Sequence, residues 1–240
     1  MCNNGTMEPQ PPDPDVLLAI LDARFTPKIL DTCKKIRQTN TDKPWQNDVV
    51  VGLARQCYAL QKHLRRGYQE SDAHYMAWAA RTLLELKVWA EFVTKSEDNL
   101  KRFYQDMYVD ASTAFQVGAK ATAALDDHPL KAAGQKILDN AKPDLIAKLE
   151  AAEVSESERY LRPSDVAKQL TLEIEFNIAN MTFSKWAHAT AQSVLLPLYA
   201  EGKPDSKDTL FLMMGTGNAV LVIEKLTDYL KKRGLPAFEP

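Results

Sequence analysis

Two groups of residues in this chain have types and spacings that could do chemistry. The first is Arg81 with Glu85, four residues on. At 100° per residue they share a helix face with His74, Trp78, Val88 and Phe92, while Met76, Ala79, Leu83, Leu86 and Ala90 occupy the far side. Only Lys87 and Glu91 leave a narrow polar edge. A helix apolar over most of its circumference belongs in the middle of a bundle, so Arg81 and Glu85 are expected to be withdrawn from bulk water. Charges held there must be paired or hydrogen-bonded. The i, i+4 spacing lets the two pair with each other, which makes either an ion pair that fixes helix register or a clamp for an anionic ligand.

The second group is Glu173, Asn177, Asn180, Ser184 and His188, which fall within one narrow arc if the helix runs unbroken from Leu172 to about Leu196. This polar stripe holds no Lys or Arg. Leu172, Phe176, Ala179 and Phe183 border it on one side, and Ile174, Ile178 and Met181 on the other, so it runs along a groove or faces a second buried polar helix. A solvated polar face is the plain alternative. His188 could serve as a general acid or base, or as a proton-linked ligand, with Ser184 in reach on the same face. A mid-helix serine has neither the strained presentation nor the oxyanion hole that a hydrolase nucleophile needs.

Other chemistry finds little support. His63, His74, His128 and His188 fall on separate elements, with no H-x-x-x-H or E-x-x-H pair to seed a metal site. Gly215-Thr216-Gly217 follows no strand, so it is not a phosphate loop, and close helix packing explains those glycines better. Neither a metal nor a cofactor is expected. The three cysteines, Cys2, Cys33 and Cys57, are scattered and odd in number, which fits a reducing compartment.

The elements that must position these residues are all helical. Strand-like alternation is missing, glycines are few, and apolar spacings of three and four recur throughout. The spacing predicts a first helix from about Asp15 to Gln38, broken or kinked at Pro27, and a second from Trp45 to Arg66 that ends at Gly67. A third follows from Ser71 and Asp72 to Lys95. Ser96 caps a fourth, which reaches about Leu125 and packs against the third as an antiparallel hairpin. Asp126 to Pro129 reads as a turn, and Leu130 to Glu153 as a polar surface helix interrupted at Pro143. An acidic loop from Glu153 to Glu158 leads to the stretch that opens at Pro163 and carries the Ser184/His188 stripe. The charged loop Glu201 to Lys207 precedes a terminal helix, Asp208 to Lys232, closed by Lys231, Lys232, Arg233 and Gly234. The expectation is an all-α single helical bundle of about seven helices, with residues 1–14 as a polar, proline-rich flexible leader and 15–240 as one domain.

Composition narrows the function classes. Thirty Lys and Arg against 32 Asp and Glu give a net charge of −2, so no bulk positive field gathers nucleic acid. The leader lacks the basic and apolar regions of a secretory signal. Thr209 to Ile223, interrupted by Gly215, Thr216, Gly217 and Asn218, falls short of the ~20 apolar residues that span a bilayer. A cytoplasmic location follows as the expectation.

The segments RTLLE (Arg81 to Glu85), Arg102-Phe103 and FSKWAHAT (Phe183 to Thr190) together resemble an uncharacterised, mainly bacterial, all-helical family of domains of unknown function. In it an R-x-x-x-E helix is followed by an S-x-x-x-H segment. The resemblance covers roughly Asp48 to Leu196 and implies that Arg81, Glu85, Ser184 and His188 converge on one interior site. More distantly, the chain is similar to the HEPN superfamily of nucleotide-binding and RNA-cleaving helical domains in its helix content and its late histidine. The nuclease members place an Arg, four to six residues and then a His; here no arginine stands at that distance before His188. The reading is a regulatory domain in which Arg81, Glu85, Ser184 and His188, with Asn177 nearby, hold a small anionic or nucleotide-like ligand, in a chain able to form a homodimer. The alternatives are a phosphodiester-cleaving enzyme of a stress or phage-defence system, with His188 catalytic, and a protein-interaction scaffold.

Overall fold

Proline and capping residues decide where the helices begin. The computed structural model describes residues 13–125, 130–151, 153, 161–188 and 206–239. Asp13 opens α1 (Pro14–Arg24) by accepting the Asp15 N–H at 2.9 Å. Pro27 ends any continuation, so the single kinked helix expected from Asp15 to Gln38 is two, the second being α2 (Lys28–Gln38). Pro44 stands in the first turn of α3 (Pro44–Gln69), where a missing N–H costs nothing. The Asp72 carboxylate accepts the Tyr75 N–H at 2.9 Å to cap α4 (Ala73–Lys95), and the Ser96 hydroxyl accepts the Asn99 N–H at 3.1 Å to cap α5 (Glu97–Ala123).

α6 (Leu130–Ala151) runs unbroken through Pro143, where an interruption was expected. The proline removes one hydrogen bond to the carbonyl of Asp139, but both residues are exposed and water can take its place. A short α7 (Pro163–Gln169) and α8 (Glu173–Ala187) follow, joined through Thr171 at a φ of 60°. The last is α9 (Ser206–Lys232), whose Schellman-type close runs from the Leu235 N–H to the Leu230 carbonyl at 3.0 Å, with Gly234 at a φ of 66°. Nine helices and no strand therefore stand among the described residues, an all-α bundle. The two beyond the expected seven come from the breaks at Pro27 and at Thr171. Most of the leader, the turn at 126–129 with His128, the acidic loop beyond Glu153, the loop at 201–205 and the stretch 189–196 lie outside the described residues.

α4 is the hub, touching α3, α5, α7, α8 and α9. Leu83, Met76, Ala79 and Ala90 are fully buried on it, as their pattern requires. The narrow polar edge expected at Lys87 and Glu91 is engaged with neighbouring helices. Lys87 is buried and reaches Glu175 of α8 at 2.5 Å, and Glu91 pairs with Lys225 of α9 at 3.0 Å, so both charges fasten α4 to its neighbours. Cys33 and Cys57 are free and buried, and burial pushes the Cys33 thiol up to about 11 and Cys57 higher still, so both act as packing groups and not as nucleophiles.

Two glycines set how closely the central helices approach. Gly67 lies inside α3 and does not end it; a Cβ there would meet Met76 Cγ at 2.7 Å and the Met76 backbone nitrogen at 3.1 Å. A Cβ on Gly215 of α9 would meet Leu64 Cδ2 at 2.5 Å and Ala80 Cβ at 3.4 Å. Gly215→Val is expected to lower stability by about 1–3 kcal/mol through overpacking of α9 against α3 and α4. Chemical denaturation checks it, and a midpoint equal to wild type would show that the contact can relax freely. By length and composition alone, Lys207–Lys232 could cross a membrane, at a mean hydropathy of 1.3, but half of its most apolar stretch is buried inside the fold, as in a core helix.

Candidate functional site

The C-terminal end of α8 is held against the first half of α4 by two hydrogen bonds. His74 Nδ1–H donates to the Trp186 carbonyl at 2.6 Å, one of the terminal carbonyls that a helix cannot satisfy internally. Two turns further along α4, Arg81 Nη1 donates to His188 Nε2 at 3.0 Å. A guanidinium has only donors, so this contact requires Nε2 to be the bare nitrogen of a neutral ring, with the proton on Nδ1. Behind the contact, the buried rings of Phe183, Trp186 and Phe211 pack edge to face, with centroids 5.8 and 6.2 Å from Phe211. They fix α8 against α9, and Lys207 Nζ lies 4.9 Å over the Trp186 ring.

Arg81 also faces Glu85, with Nε 3.4 Å from Oε1, and each side chain keeps 29% of its surface exposed. The expected withdrawal from bulk water is thus partial: α4 turns these two residues to the rim of the bundle, where one side remains open. Arg81 Nε is itself sealed from solvent, and the long contact with Glu85 is what compensates it. Burial pushes the Glu85 carboxyl above its ordinary range, and the Arg81 guanidinium, pulling the other way, does not fully offset this.

A raised carboxylate value means that the folded chain holds the proton more tightly than the unfolded one. Stability from this group is full at low pH and falls as pH climbs from the ordinary glutamate value through the raised one. Glu85→Gln is therefore expected to melt at or above the wild-type temperature at neutral pH, with the gap closing as the buffer is made acidic. A lower melting temperature at neutral pH would mean that pairing to Arg81 outweighs burial.

Beside Arg81 lies an aromatic platform. Tyr75 and Trp78 stack with centroids 5.7 Å apart and planes 14° from parallel, and His63 of α3 presents its edge to both, at 5.3 and 5.6 Å. The Tyr75 hydroxyl is hydrogen-bonded to His63 Nδ1. Trp78 nonetheless stays 42% exposed, one turn before Arg81 on α4. His74, Trp78 and Arg81 were legible as one face from their spacing. Tyr75 and His63 were not, because their contact depends on how α3 and α4 pair.

The polar stripe of α8 is only partly brought to this place. α8 ends at Ala187, and His188 is its C-cap in an extended conformation (φ −114°, ψ 153°), so it leaves the arc that a longer helix would have given it. That departure lets it reach Arg81. Ser184 is half-buried; its hydroxyl donates to Asn180 Oδ1 at 3.5 Å, while its carbonyl accepts the His188 N–H at 3.3 Å. Asn177 is exposed nearer the start of α8, as are Ile174, Ile178 and Met181. Among the described residues, no group of three His, Cys, Asp or Glu side chains could hold a metal ion.

Fold and site together define a helical bundle with a guanidinium–imidazole pair at its rim, flanked by an exposed tryptophan and the rings packed on it. No family model, no curated protein and no solved structure matches the chain.

Proposed function

We propose that this chain is a cytoplasmic regulatory domain that binds a small nucleotide-like anion at Arg81 and His188, with its base on the Trp78 and Tyr75 rings. The observation that carries the reading is the 3.0 Å contact between Arg81 and His188, which draws a cation and a titratable ring from distant parts of the chain to one open edge. Arg81 has five N–H donors, of which one Nη1–H is given to His188 and the Nε–H is turned to Glu85; the side chain keeps 29% of its surface exposed, and phosphate oxygens would meet the N–H groups on that side. An exposed tryptophan one helical turn away suits base stacking, which tolerates any base. Calorimetric titration with AMP, adenosine and inorganic phosphate tests this. AMP is expected to bind about ten-fold or more tighter than either fragment. Equal binding of adenosine and AMP, or no heat with any of the three, would remove the reading.

The same contact favours a second reading, the resemblance to RNA-cleaving helical domains. Once Arg81 turns from Nε2 to the phosphate, that imidazole nitrogen could take the proton of a ribose 2′-hydroxyl as its oxygen attacks the adjacent phosphorus, while Arg81 steadies the charge on the phosphate and the 5′-oxygen leaves with a proton from water. Incubation with a short single-stranded RNA decides it: cleavage lost in His188→Gln would make the chain an enzyme, and intact RNA leaves the binding reading standing.

A further inference from the structure

A second concavity lies away from the Arg81–His188 contact, framed by α3, α4 and α5, with a volume of about 620 Å³. Its walls are aromatic. Trp89 and Phe103 meet with centroids 5.0 Å apart, and Tyr104 and Tyr108 at 5.3 Å, their hydroxyls joined at 2.8 Å. Gly52 of α3 lines it as well, and a Cβ there would meet nothing within 4 Å, so the helix surface is open on that side. The concavity continues past Met107 and Tyr108 into a further hollow of about 370 Å³ between α5 and α6.

The charged side chains that line it are all acidic. Asp48, Asp106 and Asp110 contribute to the lining, and no Lys or Arg does. Asp48 is paired with Arg37 at 3.2 Å, and Asp106 accepts the Leu161 N–H at 2.7 Å and lies 3.9 Å from Arg102, which leaves Asp110, exposed on α5, as the carboxylate best able to meet a newcomer. Ring faces carry negative potential and attract cations directly, most strongly where water is excluded. Aromatic walls beside the exposed Asp110 carboxylate therefore favour a cation with an apolar body over nucleotides and other anions.

We propose that this concavity is a binding site for an organic ammonium ion, a class distinct from the anion assigned to the Arg81–His188 rim, and that the two sites stand or fall separately. The probe is benzyltrimethylammonium, compared by calorimetry or ligand-observed NMR with benzyl alcohol and benzoate, which share the ring but are neutral and anionic. The ammonium ion is expected to bind at least about five-fold more tightly than benzyl alcohol, and benzoate not at all. A Cβ at Gly52 enters open space and leucine improves helix propensity, so Gly52→Leu should fold as well as wild type and lose binding. Asp110→Asn, at an exposed position, should weaken the ammonium ion about five-fold and leave benzyl alcohol unchanged. Equal binding of the three probes, no binding of the ammonium ion, or undiminished binding in a folded Gly52→Leu protein would each overturn the proposal.

Discussion

Phe211→Ala is expected to cost about 3–5 kcal/mol of folding stability, the range for removing a large aromatic side chain from a close-packed core. Phe211 is fully buried on α9, and its ring is the surface against which Phe183 and Trp186 of α8 rest. The cost has two parts: the apolar area returned to water on unfolding shrinks, and a void remains where two rings lose their edge-to-face partner. Phe211→Leu keeps most of the volume and should cost clearly less. Because the same rings seat the end of α8, the alanine variant should also loosen the His188 contact with Arg81, and so weaken AMP by more than the leucine variant does. Guanidinium-chloride midpoints read the first effect and AMP titration the second. Wild-type stability in Phe211→Ala would show that α8 and α9 are not held by this cluster.

Arg81 carries the second large effect. Hydrogen bonds to charged groups contribute about 1.5–3 kcal/mol, so Arg81→Ala should weaken AMP roughly 10- to 150-fold. Arg81→Lys keeps the charge but not the planar fork, and should recover only part of that affinity. The alanine variant also strips Glu85 of its counter-charge. With burial already holding that carboxyl above its ordinary range, the loss of stability should be present at neutral pH and shrink as acid protonates Glu85. The double variant Arg81→Ala/Glu85→Gln should regain most of the stability and none of the affinity, which separates folding from binding.

Much of the fold could be read from residue spacing, since helix periodicity, Asp72 and Ser96 as caps and Pro27 as a break are local properties. Where local rules misled, an outside partner had decided the matter. Gly67 looks like a helix end but serves a close approach to Met76, and Lys87 looks like a solvated edge but is buried to pair with Glu175. Pro143 shows the opposite case, a nominal breaker tolerated because water surrounds it.

The candidate site was half legible. The face bearing His74, Trp78, Arg81 and Glu85 follows from 100° per residue, and His188 stands out as the one histidine of its stretch. That Arg81 and His188 touch could not follow from periodicity, because it depends on α8 stopping at Ala187 and on His188 swinging out of the helical arc. The grouping of Ser184 with His188 by side chain rested on that longer helix, and with it gone the serine turns to Asn180. The aromatic hollow around Trp89 was not visible at all, since its walls come from three helices whose relative heights no local pattern encodes.

The most direct test of the central claim is a histidine-selective nitrogen-15 spectrum of the free and AMP-saturated protein, assigned with His188→Gln. The free protein should show His188 as the neutral form with its proton on Nδ1, and its Nε2 resonance should move on AMP addition in step with the calorimetric binding curve. A His188 signal with the proton on Nε2, or one that stays still while AMP binds, would contradict the pairing with Arg81 and the site built on it.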